Sequence, residues 1–222
     1  MIRPRAPLSA APAIELHDVS KRFGARWALA RLEYTLPQGA SLLLTGHNGS
    51  GKTTLLRLVS TVTAPTLGSL KILGLDARAE RTKVREQVTL LSHANFHYED
   101  LTAKQNLELV ARLRGEPGMP EQVDGLLEKV GLKARVDSPV RQFSAGMRKR
   151  LAVARMLLLR PKLALLDEPF GELDPQGIAQ MEAVMAELKA QGTTLVLATH
   201  LLEQGKRLTD VSLHLENGRQ VA

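Results

Sequence analysis

The 222-residue chain contains no cysteine, so neither disulfides nor thiolate metal sites take part in its fold or chemistry. That composition is compatible with a reducing cytosol without proving one. Aromatic residues make up only 3% of the chain, which leaves few rings to stack on nucleic-acid bases. No apolar run approaches the roughly 20 residues needed to cross a bilayer, and the longest are of a length suited to buried strands. The opening Met1-Ile2-Arg3-Pro4-Arg5-Ala6-Pro7 carries arginines but no hydrophobic block after them. It makes a poor signal peptide, and residues 1–12 read as a flexible arm. Repeats, coiled-coil heptads and low-complexity tracts are also lacking, so residues 13–222 suit one domain with a substantial core.

What is present begins with charge. The formal net charge is +7, yet lysines and arginines are scattered, and only Arg148-Lys149-Arg150 forms a tight basic cluster. A solvated basic surface accounts for the excess better than a nucleic-acid site does, and no nucleic-acid partner is expected.

Apolar runs bounded by turn residues occur at Ala13–Val19, Ser41–Thr45, Val88–Leu91, Leu163–Leu166 and Thr194–Ala198, with helical periodicity between several of them. Strands alternating with helices indicate an α/β core around a mostly parallel sheet. Residues 14–36 contain no long helical pattern, which places a small antiparallel β region at the N-terminal side. Between about Asp100 and Leu159 the pattern becomes helical without an obvious strand. Thr102-Ala103-Lys104-Gln105 fits a capping box, and Leu107, Val110, Ala111 and Leu113 supply an apolar stripe behind it. The breaker Gly115-Glu116-Pro117-Gly118-Met119-Pro120 follows, and Glu121–Val130 resumes a helix. A helical subdomain inserted at about 94–159 is the economical reading.

The chemistry concentrates at strand ends. Gly46-His47-Asn48-Gly49-Ser50-Gly51-Lys52-Thr53-Thr54 satisfies G-x-x-x-x-G-K-[ST] directly after the run Ser41–Thr45. Its glycines allow backbone N–H groups to turn inward around a triphosphate, Lys52 brings a positive charge to the β and γ oxygens, and the Thr53 hydroxyl suits Mg²⁺. Leu163-Ala164-Leu165-Leu166-Asp167-Glu168-Pro169 is a buried strand ending in two carboxylates. Asp167 can hold the Mg²⁺ water shell and Glu168 can polarise a water toward the γ-phosphorus. His200, after Thr194–Ala198 and Thr199, sits at another strand end, where an imidazole can donate to a γ-phosphate oxygen. In open α/β sheets ligands collect at such carboxyl ends.

Phe143-Ser144-Ala145-Gly146-Met147 opens a long helix, and taken alone Ser144 is an ordinary N-cap. Its first-turn N–H groups nonetheless form an anion site. His93 and His97 share an H-x-x-x-H spacing but have no third ligand nearby, which argues against a zinc or haem-iron site. His17, His47 and His214 belong to no constellation of their own.

In this order the segments resemble the nucleotide-binding subunits of ATP-binding cassette (ABC) transporters, over nearly the whole chain after the arm. Gly46–Thr53 looks like Walker A, Phe143–Met147 like the signature loop, and Leu163–Glu168 like Walker B with its catalytic glutamate. Asp174, in Glu172-Leu173-Asp174, falls where the family has its D-loop, His200 where it has the switch histidine, and Phe23 where an aromatic stacks on adenine. The resemblance implies a P-loop ATPase with Mg²⁺ as cofactor and ATP as substrate. It implies a head-to-tail dimer in which Ser144 and Gly146, flanked by Ala145 and Met147, close over the γ-phosphate held by Lys52 of the other copy. It further implies separately encoded transmembrane permease subunits and a peripheral place on the cytoplasmic face of the inner membrane.

Three positions depart from the family pattern. His93 stands where the Q-loop glutamine is usual, Ala145 replaces a glycine, and Met147 replaces a glutamine. An imidazole at 93 can still touch Mg²⁺ or its water, with a different pH dependence from a carboxamide. Together with the Asp-Glu-Pro-Phe run, these departures resemble the haem-exporter ATPase of cytochrome c maturation. The alternative is another short exporter system for a drug, lipid or polysaccharide. Soluble cassette ATPases acting on nucleic acid or ribosomes fit less well, since repair members carry a long coiled-coil interruption and translation factors usually carry two cassettes.

Overall fold

A computed structural model describes residues 12–92 and 97–221. Its centre is a six-stranded sheet in the order β10-β9-β3-β8-β7-β6. The strands β3 (Ser41–Thr45), β6 (Val88–Leu91), β7 (Leu163–Asp167), β8 (Thr194–Ala198) and β9 (Val211–Glu216) run parallel, while β10 (Arg219–Val221) returns antiparallel from β9. Every residue of β7 and β8 is buried, the pattern of strands covered on both faces.

Side-chain alternation divides the interior into two cores. Leu43, Ala164, Leu166, Leu195 and Leu197 face one way, into a core shared with α3 (Ala103–Arg114), α4 (Val123–Lys129), α5 (Ala145–Leu159) and α6 (Pro175–Ala190). Leu42, Leu44, Leu163, Leu165, Val196 and Ala198 face the other way. Their core is closed by α1 (Lys52–Val59) and by an antiparallel sheet, β2-β1-β4-β5, built from β1 (Pro12–Phe23), β2 (Arg26–Pro37), β4 (Leu67–Ile72) and β5 (Leu75–Asp76). The expected antiparallel region is therefore present. It is larger than the stretch before the phosphate loop, because β4 and β5 join it after α1, and β1 already includes Pro12.

The remaining helices are α2 (Arg81–Gln87) and α7 (Leu202–Leu208). Thr102 caps α3 as the sequence indicates: the Gln105 N–H donates to Thr102 Oγ1 at 3.1 Å and the Thr102 N–H donates to Gln105 Oε1 at 2.9 Å. The stripe behind the cap is narrower than expected. Ala103, Leu107 and Ala111 are buried, but Leu113 is 76% exposed, since it lies about 200° around the helix from Ala111.

The basic cluster is a correction of another kind. Lys149 is only 2% exposed, Arg150 pairs with Asp174 at 3.0 Å, and Arg148 lies 3.8 Å from Glu99. Lys149 and Arg150 tie the helical subdomain to the segment after β7, and Arg148 pairs within the subdomain, so the three do not form one solvated basic face.

Strand register decides where the site lies. Leu44 pairs with Ala198 and Ala198 with Asp167, so the segments that follow β3, β8 and β7 leave the sheet side by side at its carboxyl edge.

Candidate functional site

The loop from Gly46 to Gly51 joins β3 to α1 with three glycines at positive φ, Gly46 at 140°, Gly49 at 83° and Gly51 at 110°. At Gly46 the requirement is also steric. A Cβ there would stand 2.2 Å from the Leu215 carbonyl oxygen and 2.5 Å from Ser50 Oγ. Gly51 is the N-cap of α1 and offers no side chain to its N–H groups, which stay available to an anion. Lys52 Nζ donates to the carbonyl oxygens of Gly46 at 2.7 Å and His47 at 3.1 Å, folding the cation back over the loop.

A cavity of about 640 Å³ opens at this loop. His47, Asn48, Gly49, Gly51, Lys52, Thr53 and Thr54 line it together with Phe23, Asp167 and Glu168. Gly46 and Ser50 do not line it but support it from behind, and Ser50 is fully buried.

Arg26, Trp27, Ala28, Asn217 and Gly218 also line the cavity, and sequence reasoning missed all five. Trp27 reaches the site because the β1–β2 hairpin turns at Gly24-Ala25, pairing Phe23 with Arg26 and Arg22 with Trp27. Asn217-Gly218 is a hairpin signal that was legible: both residues have positive φ, as a type I′ turn requires. This turn locks onto the phosphate loop, because the Gly218 N–H donates to the Ser50 carbonyl at 3.0 Å and its own carbonyl accepts from the Ala30 N–H at 2.8 Å.

Across the cavity, Asp167 is the last residue of β7 and is 5% exposed. Glu168 follows at φ 49°, a left-handed backbone unusual for a side-chain-bearing residue, and its N–H donates to the Ala198 carbonyl at 2.8 Å. The Glu168 carboxylate accepts from the His200 backbone N–H at 3.3 Å and from His200 Nδ1 at 2.9 Å. A carboxylate only accepts, so Nδ1 carries the proton in this contact. His200, expected to serve a γ-phosphate, joins Glu168 through Nδ1, lies outside the cavity lining and leaves its side chain 70% exposed. A carboxylate oriented in this way is suited to receive a proton from a water.

The remaining expected residues lie elsewhere. Ser144, Ala145, Gly146, Met147 and Asp174, with Arg150, Glu172 and Leu173, line a second cavity of about 390 Å³ that shares no residue with the first. Ser144 caps α5, its Oγ accepting from the Met147 N–H at 3.3 Å. Asp174 caps α6, its Oδ1 accepting from the Gly177 N–H at 2.8 Å and from Arg150 Nη2 at 3.0 Å. His93 lies outside the described residues. His97 Nε2 donates to the Arg148 carbonyl at 3.0 Å, and burial with the nearby Arg155 and Arg148 charges lowers its pKa to about 4.

Thr53 and Asp167 line the first cavity with hydroxyl and carboxylate oxygens, the hard donors that Mg²⁺ takes. Among the described residues no group of three His, Asp or Glu could hold a metal alone. This suits an ion whose other ligands are phosphate oxygens and water.

A profile of the ABC transporter family matches residues 29–171. The chain is 33% identical to the Nod factor export ATP-binding protein I of Ralstonia nicotianae, over 99% of this chain and 69% of that protein. It is 39% identical to the cytochrome c biogenesis ATP-binding export protein CcmA of Pseudomonas putida, over 79% of this chain and 83% of that one. Among solved structures, the ATP-binding subunit of an ABC transporter superposes with a TM-score of 0.88 at 30% identity, covering 95% of this chain and 88% of its own.

Proposed function

The chain belongs to the ABC transporter family as an ATPase subunit, and we propose that its two separate cavities are the two halves of one composite ATP site, completed by a second copy of the chain. The observation that supports this reading is the lack of any shared lining residue between them. Within one chain, Ser144 and Gly146 have no access to a phosphate held by Lys52. A head-to-tail pair lets each copy supply the missing face to the other.

In that pair the phosphate loop and Lys52 bind the triphosphate, and Phe23 takes the adenine. Thr53 and Asp167 hold Mg²⁺, together with His93 by resemblance. The ion, when bound, offsets the negative charge of the β and γ phosphates. Glu168 takes a proton from the attacking water while His200 keeps its carboxylate in place. Ser144, flanked by Ala145, Gly146 and Met147, presents the positive end of α5 to the γ-phosphate of the other copy. Asp174 holds the adjoining loop beside it. Closure of the pair drives separately encoded transmembrane subunits from the cytoplasmic face of the membrane; no helix among the described residues is long and apolar enough to cross one.

The transported compound is haem, for cytochrome c maturation, on the support of the CcmA relative and the Ser144-Ala145-Gly146 and Asp167-Glu168-Pro169-Phe170 runs. A second reading, another short exporter system for a drug, lipid or polysaccharide, draws on the Nod factor export relative, which aligns over more of this chain. The compound that stimulates hydrolysis by the reconstituted complex separates the two.

The ATPase assignment is tested with Glu168→Gln. Hydrolysis is expected to fall by at least about 10²-fold, the scale of a positioned base. ATP binding should persist and a dimer should accumulate in sedimentation with Mg-ATP. Undiminished turnover would overturn it.

A further inference from the structure

Lys149 presents a problem that the nucleotide reading leaves unsolved. It sits one turn into α5, in the segment that carries Ser144–Met147, yet it points away from that segment's cavity and is 2% exposed. A buried ammonium without partners is very costly, so the sequence must gain something by placing a lysine here.

Its contacts show where it acts. Lys149 Nζ donates to the carbonyl oxygen of Glu168 at 3.1 Å and to that of Gly171 at 2.5 Å. Those carbonyls bracket one tight turn, Glu168-Pro169-Phe170-Gly171, which is also closed by the Gly171 N–H donating to the Glu168 carbonyl at 3.3 Å. The ammonium therefore grips both ends of the turn. Glu168 within it holds a left-handed φ of 49°, a conformation that persists only where surrounding contacts enforce it. On the N–H side, Ala198 of β8 supplies the anchor, and on the C=O side the anchor is Lys149, from a different subdomain. The neighbouring carboxylates of Glu172 and Glu168 partly offset the burial that lowers the lysine's pKa.

We propose that Lys149 is a positioning residue for ATP hydrolysis, its ammonium clamping the Glu168–Gly171 turn so that the Glu168 carboxylate is held in its reactive orientation and so that movement of the signature helix is transmitted directly to it. This rests on Glu168 acting as the base. Because α5 begins with the residues that meet the second copy's nucleotide, closure of the dimer and aim of the carboxylate are joined through a single side chain. The link runs from Ser144 along little more than one helical turn to Lys149, and from there to Glu168.

The test is a double-mutant cycle on the full chain with Mg-ATP. Lys149→Met keeps the length and apolar stem of the side chain while removing the donor. It is expected to lower kcat by roughly 10- to 100-fold, the scale of a misplaced catalytic group, with KM for ATP unchanged. Lys149→Arg, which restores cation and donors, is expected to recover most of the loss. In a Glu168→Gln background, Lys149→Met should lower the residual rate no further, since both changes act on one group. Lys149→Gln is the second variant should Lys149→Met fail to fold, and it is expected to give an intermediate kcat with the same KM. Equal fold-losses in the two backgrounds, or a rise in KM at constant kcat, would overturn the proposal. Undiminished hydrolysis by Glu168→Gln alone would instead overturn the assignment of the base, whatever Lys149 does.

Discussion

The cavity at the phosphate loop and the cavity at the signature loop both use the N-terminus of a helix, but they are built in opposite ways. The first is made from backbone held under strain. Gly46 and Gly51 occupy conformations closed to other residues, and Glu168 is forced to positive φ between β8 and Lys149. Strand ends, a loop and the Asn217-Gly218 turn converge from four places in the chain. The second is made mainly from two ordinary caps, Ser144 on α5 and Asp174 on α6, joined by the Arg150–Asp174 pair, with one left-handed residue, Glu172 at φ 64°, in the loop beside them. Strain and convergence belong where small displacements cost binding and rate. Capped helix ends suit a face whose ligand arrives on another molecule. The contrast also explains how Ala145 and Met147 can depart from the family pattern while the phosphate loop keeps its full template.

The strongest way to break this comparison is to separate the halves genetically. Ser144→Arg is expected to reduce hydrolysis by at least about 10²-fold, the cost of losing a preorganised anion contact, while monomer affinity for ATP is retained. Lys52→Ala is expected to lose both. Mixing the two inactive variants then regenerates one complete site per mixed dimer, with the intact Lys52 of one copy facing the intact Ser144 of the other. Steady-state hydrolysis should reappear on mixing. A mixture as inactive as its components would mean that the two cavities never meet.

A second comparison places one alanine in each half. Gly46→Ala meets the Leu215 carbonyl at 2.2 Å from a φ of 140°, so the loop must shift, at a cost of at least about 2 kcal/mol in stability together with weaker nucleotide binding. Gly146→Ala is helical and meets the Glu172 carbonyl at 3.0 Å, a tight contact offset by the helix propensity of alanine. Its stability should stay within about 1 kcal/mol of the parent. Thermal melts of the two variants decide the matter, and equal losses would remove the distinction between a half built on strained glycines and one built on capped helices.

The same distinction governs what was legible beforehand. The strands β7 and β8, buried throughout, and β3, buried at four of its five residues, are largely apolar runs with the motifs attached to their ends, so the core sheet and its edge could be read directly. The strands that went unread are half-exposed. β4 has two buried residues in six, as does β9, and neither shows a continuous apolar run. The Asn217-Gly218 turn is a local signal, but its place at the nucleotide cavity comes from the long-range pairing of β9 with β3 and from the Gly218 hydrogen bonds to Ser50 and Ala30, which no local pattern carries. Lys149 looked like part of a solvated cluster because charge along a helix reveals nothing of which face is covered. His200 lies just past the end of β8, as the apolar run before it indicates, while its contact with Glu168 depends on a side-chain rotamer that no local pattern encodes.

Acidification provides the mildest test of the two halves. His97 contacts the Arg148 carbonyl on the signature helix at 3.0 Å and is held neutral, its pKa lowered to about 4 by burial and by the Arg155 and Arg148 charges. In the unfolded chain an imidazole titrates near its ordinary value of about 6.5. Between these two values the unfolded state binds more protons, so the contribution of His97 to stability is full above about pH 6.5 and declines as pH falls toward 4. With the ring partly open to solvent, the effect between pH 7 and 5 is about 1 kcal/mol. His97→Gln keeps an N–H donor for the Arg148 carbonyl but cannot titrate, so the loss of stability on going from pH 7 to 5 should be smaller in the variant by that amount. Denaturant unfolding at the two pH values measures it. Amide exchange locates it: protection along α5 should fall on acidification in the parent chain and hold in the variant, while α1 behaves alike in both. Equal pH dependence in the two proteins would show that the signature half owes none of its order to an uncharged His97.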